Sequence, residues 1–207
     1  MSRYSTTLLV LFCLVLGTST AAKPPPKNTS IPAFAYIAGV RVGYHSIKSM
    51  ERLIGEGVPS TGGHPNGMRH WRARRADWYI LADGFDYGDS GRGRMVEQVT
   101  LTMDSMLDKN KWKQIPVTKL AGHRLGWMGC VYPGQAWRKV LNAAGKRLPK
   151  PAYSKNKNRG CWTWKSTGYQ RLNEHEYYGS WEAHVYVQKG LIIRIDVSCD
   201  LGRYTAP

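Results

Sequence analysis

The spacing of apolar positions predicts one short helix in each half of the chain. In residues 46–57 four apolar residues fall on a single helical face; they are Ile47, Met50, Leu53 and Ile54. Ser46 can cap the start of this helix, and Gly55 or Gly57 can end it. Residues 133–145 repeat the pattern, because Trp137, Val140 and Leu141 follow Met50, Leu53 and Ile54 by 87 residues.

Strand patterns follow each helix in the same order. A Trp-bearing strand is predicted at 69–72 and again at 161–164, and an aromatic strand that ends in a turn at 79–84 and again at 185–190. Apolar residues then alternate with polar ones from Met95 to Met103 and from Leu191 to Cys199, which indicates a sheet with one buried face. The pattern predicts an α+β fold of two tandem repeats. Each repeat is expected to be a short helix or helical hairpin packed on a three- to four-stranded antiparallel sheet.

The N-terminus has the pattern of an export signal. Arg3 precedes the nine-residue apolar run 8–16, and small residues at 20–22 suit cleavage. An uncleaved N-terminal anchor is the alternative. We therefore divide the chain into a signal peptide (1–22), a Pro-rich spacer (23–34), repeat one (35–104), a linker (105–123), repeat two (124–201) and a tail (202–207). An extracytoplasmic location follows, periplasmic or secreted, with no transmembrane span once the signal is removed.

The duplication, the order of elements and the segment 184–191 (His-Val-Tyr-Val-Gln-Lys-Gly-Leu) together resemble the secreted β-lactamase inhibitory protein family. That family belongs to the superfamily of small outer-membrane lipoproteins of the barrel-assembly machinery. The resemblance covers residues 35–200 and implies tandem helix-on-sheet units and inhibitor-like binding of a protein. The chain departs from the family because repeat one has no cysteine pair and the helix entries 42–45 and 131–134 lack a Gly-Met-Thr turn. These departures bear on the partner more than on the fold.

Positions at which the repeats differ are our candidate binding residues. Repeat one inserts residues 85–94, which mix glycine, aromatic rings and both charges as binding loops do, and repeat two inserts residues within 166–182. A solvated loop is the simpler interpretation of each insertion. Glu97 places a carboxylate where repeat two has Ile193. The resemblance adds the hairpin at 72–79, because family members present an Asp followed by aromatic residues to their target. The predicted binding residues are Arg74, Asp77, Trp78, Tyr79, Asp86, Tyr87, Arg92, Arg94, Glu97, Tyr177 and Trp181.

The charge of the chain limits the classes of partner, and its cysteines allow a disulfide. The chain has 30 Lys and Arg against 14 Asp and Glu, a net charge of +16, and basic residues cluster at 69–75 and 146–159. Such clusters attract polyanions. No nucleic-acid-binding signature accompanies them, so we expect a protein or an anionic envelope polymer instead. Strand alternation favours a Cys130–Cys199 disulfide with Cys161 free. No metal-ligand spacing or cofactor motif is present in the sequence.

Two functions remain open from the sequence. The first is an exported, monomeric, non-enzymatic binding or inhibitor-like protein that uses aromatic and Arg anchors on exposed hairpins. The alternative is a small basic secreted hydrolase that acts on RNA or a cell-wall polymer through Glu97 with His70 or His184. The chain has no Gly-x-Ser-x-Gly elbow, zinc-protease helix or phosphate-binding loop, which disfavours common hydrolase classes.

Overall fold

In the part of the chain that the structure describes, one large, mostly antiparallel sheet, a small two-stranded sheet and two α-helices form the regular structure. The computed structural model describes residues 31–59, 68–85, 94–104, 115–144, 148, 150–151, 153–154, 159–172 and 175–203. The predicted signal peptide, most of the spacer and residues 204–207 of the tail lie outside these ranges. The strand-rich α+β class agrees with the sequence prediction. No helix in the described ranges is long and apolar enough to cross a membrane.

The predicted helices and strands occur in the predicted order, and five short strands in the described ranges were not predicted. The helices are α1 (Ile47–Ile54) and α2 (Trp137–Ala144), and single 3-10 turns lie at Ala33–Ala35 and Gly122–Arg124. The strands are β1 (Tyr36–Ile37), β2 (Val40–Arg41), β3 (Val58–Pro59), β4 (Arg69–Arg74), β5 (Tyr79–Phe85), β6 (Met95–Thr102), β7 (Val117–Ala121), β8 (Tyr153–Ser154), β9 (Arg159–Leu172), β10 (His175–Gln188) and β11 (Leu191–Arg203).

Two antiparallel runs of strands meet at the centre of the large sheet. The strand order is β3-β4-β5-β6-β11-β10-β9-β8, and β7 pairs with β4 in parallel. The join is the antiparallel pair β6·β11, in which Val99 faces Val197 and Leu101 faces Ile195. The small separate sheet β1·β2 lies near the N-terminus. A turn with Lys189 at φ 50° and Gly190 at φ 78° connects β10 to β11, as the twist of a hairpin requires.

Helix α1 begins and ends where the sequence predicts, whereas α2 begins only at Trp137, four residues inside the predicted range 133–145. The Ser46 hydroxyl caps α1 by accepting a hydrogen bond from the Ser49 amide, and Gly55 ends the helix with φ 103°. The Trp71 indole donates to the Gly55 carbonyl at 2.8 Å, which ties the helix end to β4. The predicted buried faces are too wide by one residue each, because Leu53 and Leu141 are exposed while their neighbours on the face are buried.

Tryptophan side chains fill the core on one face of the sheet. Trp162 and Trp164 of β9 are buried, and both contact Trp137 of α2 with ring centroids 5.1 and 6.5 Å apart. Trp127 packs on Trp164 and donates to the Phe34 carbonyl at 2.7 Å. The N-terminal segment therefore belongs to this core, and the predicted spacer (23–34) is wrong at its end, since Phe34 is buried.

Two other segments differ from their predictions. Residues 105–123 are not only a linker, because they contain β7, whose Val117 and Ala121 pair with Arg72 and Arg74. The insertion at 166–182 is not a loop. Its residues extend β9 and β10 into a long hairpin that is paired from Leu172↔His175 to Arg159↔Gln188. Met103, which the alternation of β6 placed on the buried face, follows the end of the strand and is exposed.

Candidate binding surfaces

The parallel pairing of β4 with β7 brings together basic residues that are distant in the sequence. The Arg72 amide donates to the Pro116 carbonyl and the Arg74 amide to the Thr118 hydroxyl, at 2.9 and 3.0 Å. Beyond β4, Arg75 adopts φ 57° in the turn to β5. We call the exposed Arg and Lys residues of this region the basic cluster; they are Arg72, Arg74, Arg75, Lys119 and Arg124.

The basic cluster presents guanidinium groups on a fixed backbone. The Arg74 side chain donates from Nη1 to the Lys119 carbonyl at 3.2 Å, which orients one of its nitrogens. Asp77, in the same turn as Arg75, is exposed and supplies one negative charge. Guanidinium forks match carboxylate and phosphate oxygens in geometry. The cluster can therefore bind an anionic group, whereas it contains no nucleophile or general base.

The sheet face opposite the tryptophans has a different character, with polar side chains in rows across the strands. Ladder partners define two central rows. One row is Thr163, His184, Asp196, Thr100, Leu81 and His70, and the other is Cys161, Tyr186, Arg194, Thr102, Tyr79 and Arg72. We call this surface the polar face. Cys161 lies on it, as predicted from the inward direction of Trp162 and Trp164.

A chain of hydrogen bonds runs across β9 and β10 on the polar face. Lys165 Nζ donates to Glu182 Oε1 at 2.7 Å, and Glu182 Oε2 lies 3.1 Å from His184 Nε2. The other ring nitrogen of His184, Nδ1, lies 3.1 Å from the Thr163 hydroxyl and 3.8 Å from Cys161 Sγ. The hydrogen bond from Lys165 lowers the pKa of Glu182, whereas burial raises the pKa of the Cys161 thiol.

A buried carboxylate organises the middle of the polar face. Asp196 Oδ1 accepts from the Thr100 hydroxyl at 2.7 Å and from Arg194 Nε at 2.8 Å. Burial disfavours the charge of Arg194, but the hydrogen bond to Asp196 and the attraction between the two outweigh it and raise the Arg194 pKa. Burial, and then the charge of Asp196, raise the pKa of Tyr186, over whose ring Arg194 lies at 5.7 Å. Arg194 and Asp196 therefore form a fixed, hydrogen-bonded ion pair rather than a reactive centre.

The predicted binding residues separate into three groups. Arg74 and Asp77 are exposed in the basic cluster or beside it, and Tyr79 lies on the polar face. Trp78 and Trp181 are buried, so the prediction that they are exposed contacts is wrong. Trp78 stacks on Tyr132, and Trp181 donates to the Val42 carbonyl at 3.0 Å. Both side chains belong to the core: Trp78 immediately precedes β5, Trp181 lies on β10, and both are buried.

The remaining candidates give less information. Glu97 falls where the β5·β6 register shifts, and its charge helps to raise the pKa of Cys199, after burial. It thus lies near the core cysteine, whereas His184 and His70 lie on the polar face. Arg94 is half-buried, and its carbonyl accepts from the Ile47 amide at 2.8 Å. Asp86, Tyr87 and Arg92 lie outside the described residues, and Tyr177 is described only as part of the backbone of β10.

The predicted Cys130–Cys199 bridge is absent, since Cys130, Cys161 and Cys199 are all free. Cys199 is buried opposite Trp181, beneath Gly43, where an added Cβ would lie 2.8 Å from its sulfur. Cys130 is exposed and lines a cavity of about 490 Å³ beside α2. The prediction was wrong because it assumed that the segment leading into α2, with Cys130, lies over β11. The segment around Gly43 lies over Cys199 instead.

Sequence reasoning missed Lys119, Arg124 and the group around His184. Strand alternation was sufficient to place Cys161 and Thr163 on one face. Their partners on β10 depend on the register of the β9·β10 hairpin, which was interpreted as a loop. The parallel pairing of β7 left no signal, because five residues with mixed polarity do not show a strand period.

Comparison with protein-family models, curated proteins and solved structures returned no significant match.

Proposed function

We propose that the protein is an exported, non-enzymatic binding protein that contacts an anionic partner through the basic cluster. The partner is an acidic protein surface or an anionic envelope polymer. The single observation that carries the proposal is the β4·β7 pairing, which gathers five exposed cations from two segments of the chain. Clustered cations raise the local concentration of a polyanion and its association rate.

The proposal includes the family-level architecture. We propose two tandem repeats, each a helix on an antiparallel sheet, as in the β-lactamase inhibitory protein-like proteins that the sequence resembles. What supports this is the symmetric strand order, in which β3 to β6 and β8 to β11 form two meanders joined at their last strands. The contacts of Trp71 with the end of α1 and of Trp137 with Trp162 support the same pairing of helix and sheet in each half.

The test compares two pairs of neutralising substitutions that remove equal charge. Arg72→Gln with Arg74→Gln alters the basic cluster, and Arg138→Gln with Lys139→Gln alters exposed residues of α2. Linear polyphosphate and poly-glutamate serve as probes of phosphate and carboxylate polymers. For the first pair, we expect the slope of log Kd against log salt to fall by roughly one per lost contact. The α2 pair should behave as the unchanged protein.

Equal effects of the two pairs would mean that net charge alone attracts the probe, and the basic cluster would lose its proposed role. Preference for poly-glutamate would identify an acidic protein surface as the better partner class, and preference for polyphosphate would identify a phosphate-bearing envelope polymer. Circular dichroism of each variant establishes that the fold is kept, so a loss of binding cannot come from unfolding.

The second candidate function, a hydrolase, rests on the placement of His184 between Glu182 and Thr163 or Cys161. A carboxylate that orients a histidine beside a hydroxyl or thiol is the arrangement of a nucleophilic site. The raised pKa of Cys161 argues against a nucleophile, because the thiolate is the reactive form. Hydrolysis of RNA or peptidoglycan that disappears in His184→Ala and survives the Arg72 and Arg74 substitutions would favour the hydrolase.

A further inference from the structure

A small cavity opens on the polar face between β5, β6 and β11. Its volume is about 210 Å³, and its lining includes Met68, Leu81, Asp83, Gln98, Thr100 and Arg194. One water occupies about 30 Å³ in the liquid, so the cavity has space for several heavy atoms. Leu81 and Thr100 are ladder partners and form adjacent parts of the lining.

The charges of the cavity leave one group unbalanced. Arg194 donates from Nε to Asp196 at 2.8 Å, so this cation and anion neutralise each other. Asp196 also accepts a hydrogen bond from the Thr100 hydroxyl at 2.7 Å. Asp83 accepts a hydrogen bond from the Gly84 amide at 2.9 Å. Within the ranges that the structure describes, no cation lies at ion-pair distance from the Asp83 carboxylate. A half-buried carboxylate in this position favours a cationic ligand.

The walls indicate what kind of cation the cavity suits. Met68 and Leu81 supply apolar surface, and Gln98 supplies an amide oxygen that can accept a further hydrogen bond. A lysine side chain combines an aliphatic stem with an ammonium that donates three hydrogen bonds, which matches apolar walls and a carboxylate. We propose that this cavity binds a primary alkylammonium group, the side chain of a lysine presented by a partner protein.

An anionic ligand fits the same cavity poorly. Asp83 would repel it, and the guanidinium of Arg194 is already compensated by Asp196. The cavity shares no lining residue with the basic cluster and takes a ligand of the opposite charge, so it does not depend on the function proposed above. In a chain of net charge +16, long-range attraction cannot bring a cation here. Binding must therefore come from the local contacts.

The test uses a matched pair of probes and a matched pair of variants. The probes are Nα-acetyl-lysine N-methylamide and its Nε-acetylated form, in which a neutral amide replaces the ammonium group. We follow the backbone amides of the ¹⁵N-labelled protein during titration. The variants are Asp83→Asn, which keeps an oxygen to accept from Gly84, and Asp77→Asn, which removes an exposed carboxylate outside the cavity.

We expect saturable shifts of the amides at 81–83 and 98–100 with the charged probe and none with the acetylated one. Asp83→Asn should weaken binding about tenfold, the size of one charge-assisted hydrogen bond, and Asp77→Asn should leave it unchanged. Equal binding of the two probes would overturn the proposal, as would unchanged binding by Asp83→Asn with a native-like spectrum. Shifts that are dispersed over the surface and do not saturate would overturn it as well.

Discussion

The two buried indoles that were expected to be binding anchors offer a sharp test of how the core is held. Trp181 and Trp78 are 1% and 2% exposed, but only Trp181 donates a hydrogen bond, to the Val42 carbonyl at 3.0 Å. Trp78 Nε1 has no acceptor among the described residues. Replacing each residue by Phe removes a similar volume from each site and a hydrogen bond from only one.

The magnitudes follow from these contacts. The space left by Trp→Phe, about 40 Å³ if nothing relaxes, costs about 1 kcal/mol at ~24 cal/mol per Å³ in either site. Trp181→Phe also leaves the Val42 carbonyl without its donor, which costs a further ~1–3 kcal/mol for a buried acceptor. We therefore expect losses of about 2–4 kcal/mol for Trp181→Phe and about 1 kcal/mol for Trp78→Phe.

Urea denaturation followed by far-ultraviolet circular dichroism measures both losses, since this signal comes mainly from the backbone and remains when one tryptophan is removed. Equal m-values are required for the comparison to stand. Losses within about 0.5 kcal/mol of each other would refute the assignment of the difference to the hydrogen bond. A larger loss for Trp78→Phe would show that its stacking on Tyr132 outweighs the hydrogen bond of Trp181.

Three further predictions concern pH, backbone and thiols. Burial lowers the pKa of His70 below its ordinary 6.5, so below that pH the unfolded chain binds a proton that the folded chain does not. The free energy of unfolding therefore decreases as the pH is lowered. His70→Leu should make this decrease smaller between about pH 7 and pH 5 in denaturant titrations. Gly43 has φ 79° and an added Cβ would meet Cys199, whereas Gly134 has φ 90° and open space. Gly43→Ala should cost at least about 1 kcal/mol more than Gly134→Ala by thermal denaturation. Cys130 should react with a thiol reagent quickly and Cys199 only on unfolding, whereas a bridge between them would leave both unreactive.

The sequence was most informative where a local rule decides the structure. Ser46 and Gly55 bound α1 because an N-cap hydroxyl and a left-handed glycine need only neighbouring atoms. The strand alternation likewise predicted the inward direction of Ile195 and Val197, and the turn at Gly190 followed from the need for positive φ.

Predictions failed where a distant segment decides the structure. Leu53 fits the apolar face of α1 by spacing, but although the backbone at Gly39 lies against its Cδ2 atom, 39% of the residue remains exposed. Trp78 and Trp181 were expected at the surface because residue type indicates binding energy but does not reveal the direction of a side chain. The basic cluster was only half predicted, since Lys119 joins it through a strand pairing that depends on tertiary contacts.

The central β6·β11 pair also constrains the order in which the chain can fold. Its partners are about a hundred positions apart, as Val99 and Val197 show. During synthesis, one edge of β6 therefore stays unpaired until β11 has been made, about a hundred residues later. Open strand edges recruit other chains. A product that ends before residue 191 would lose the seam of the sheet rather than one outer strand, and its β6 would be free to pair between molecules.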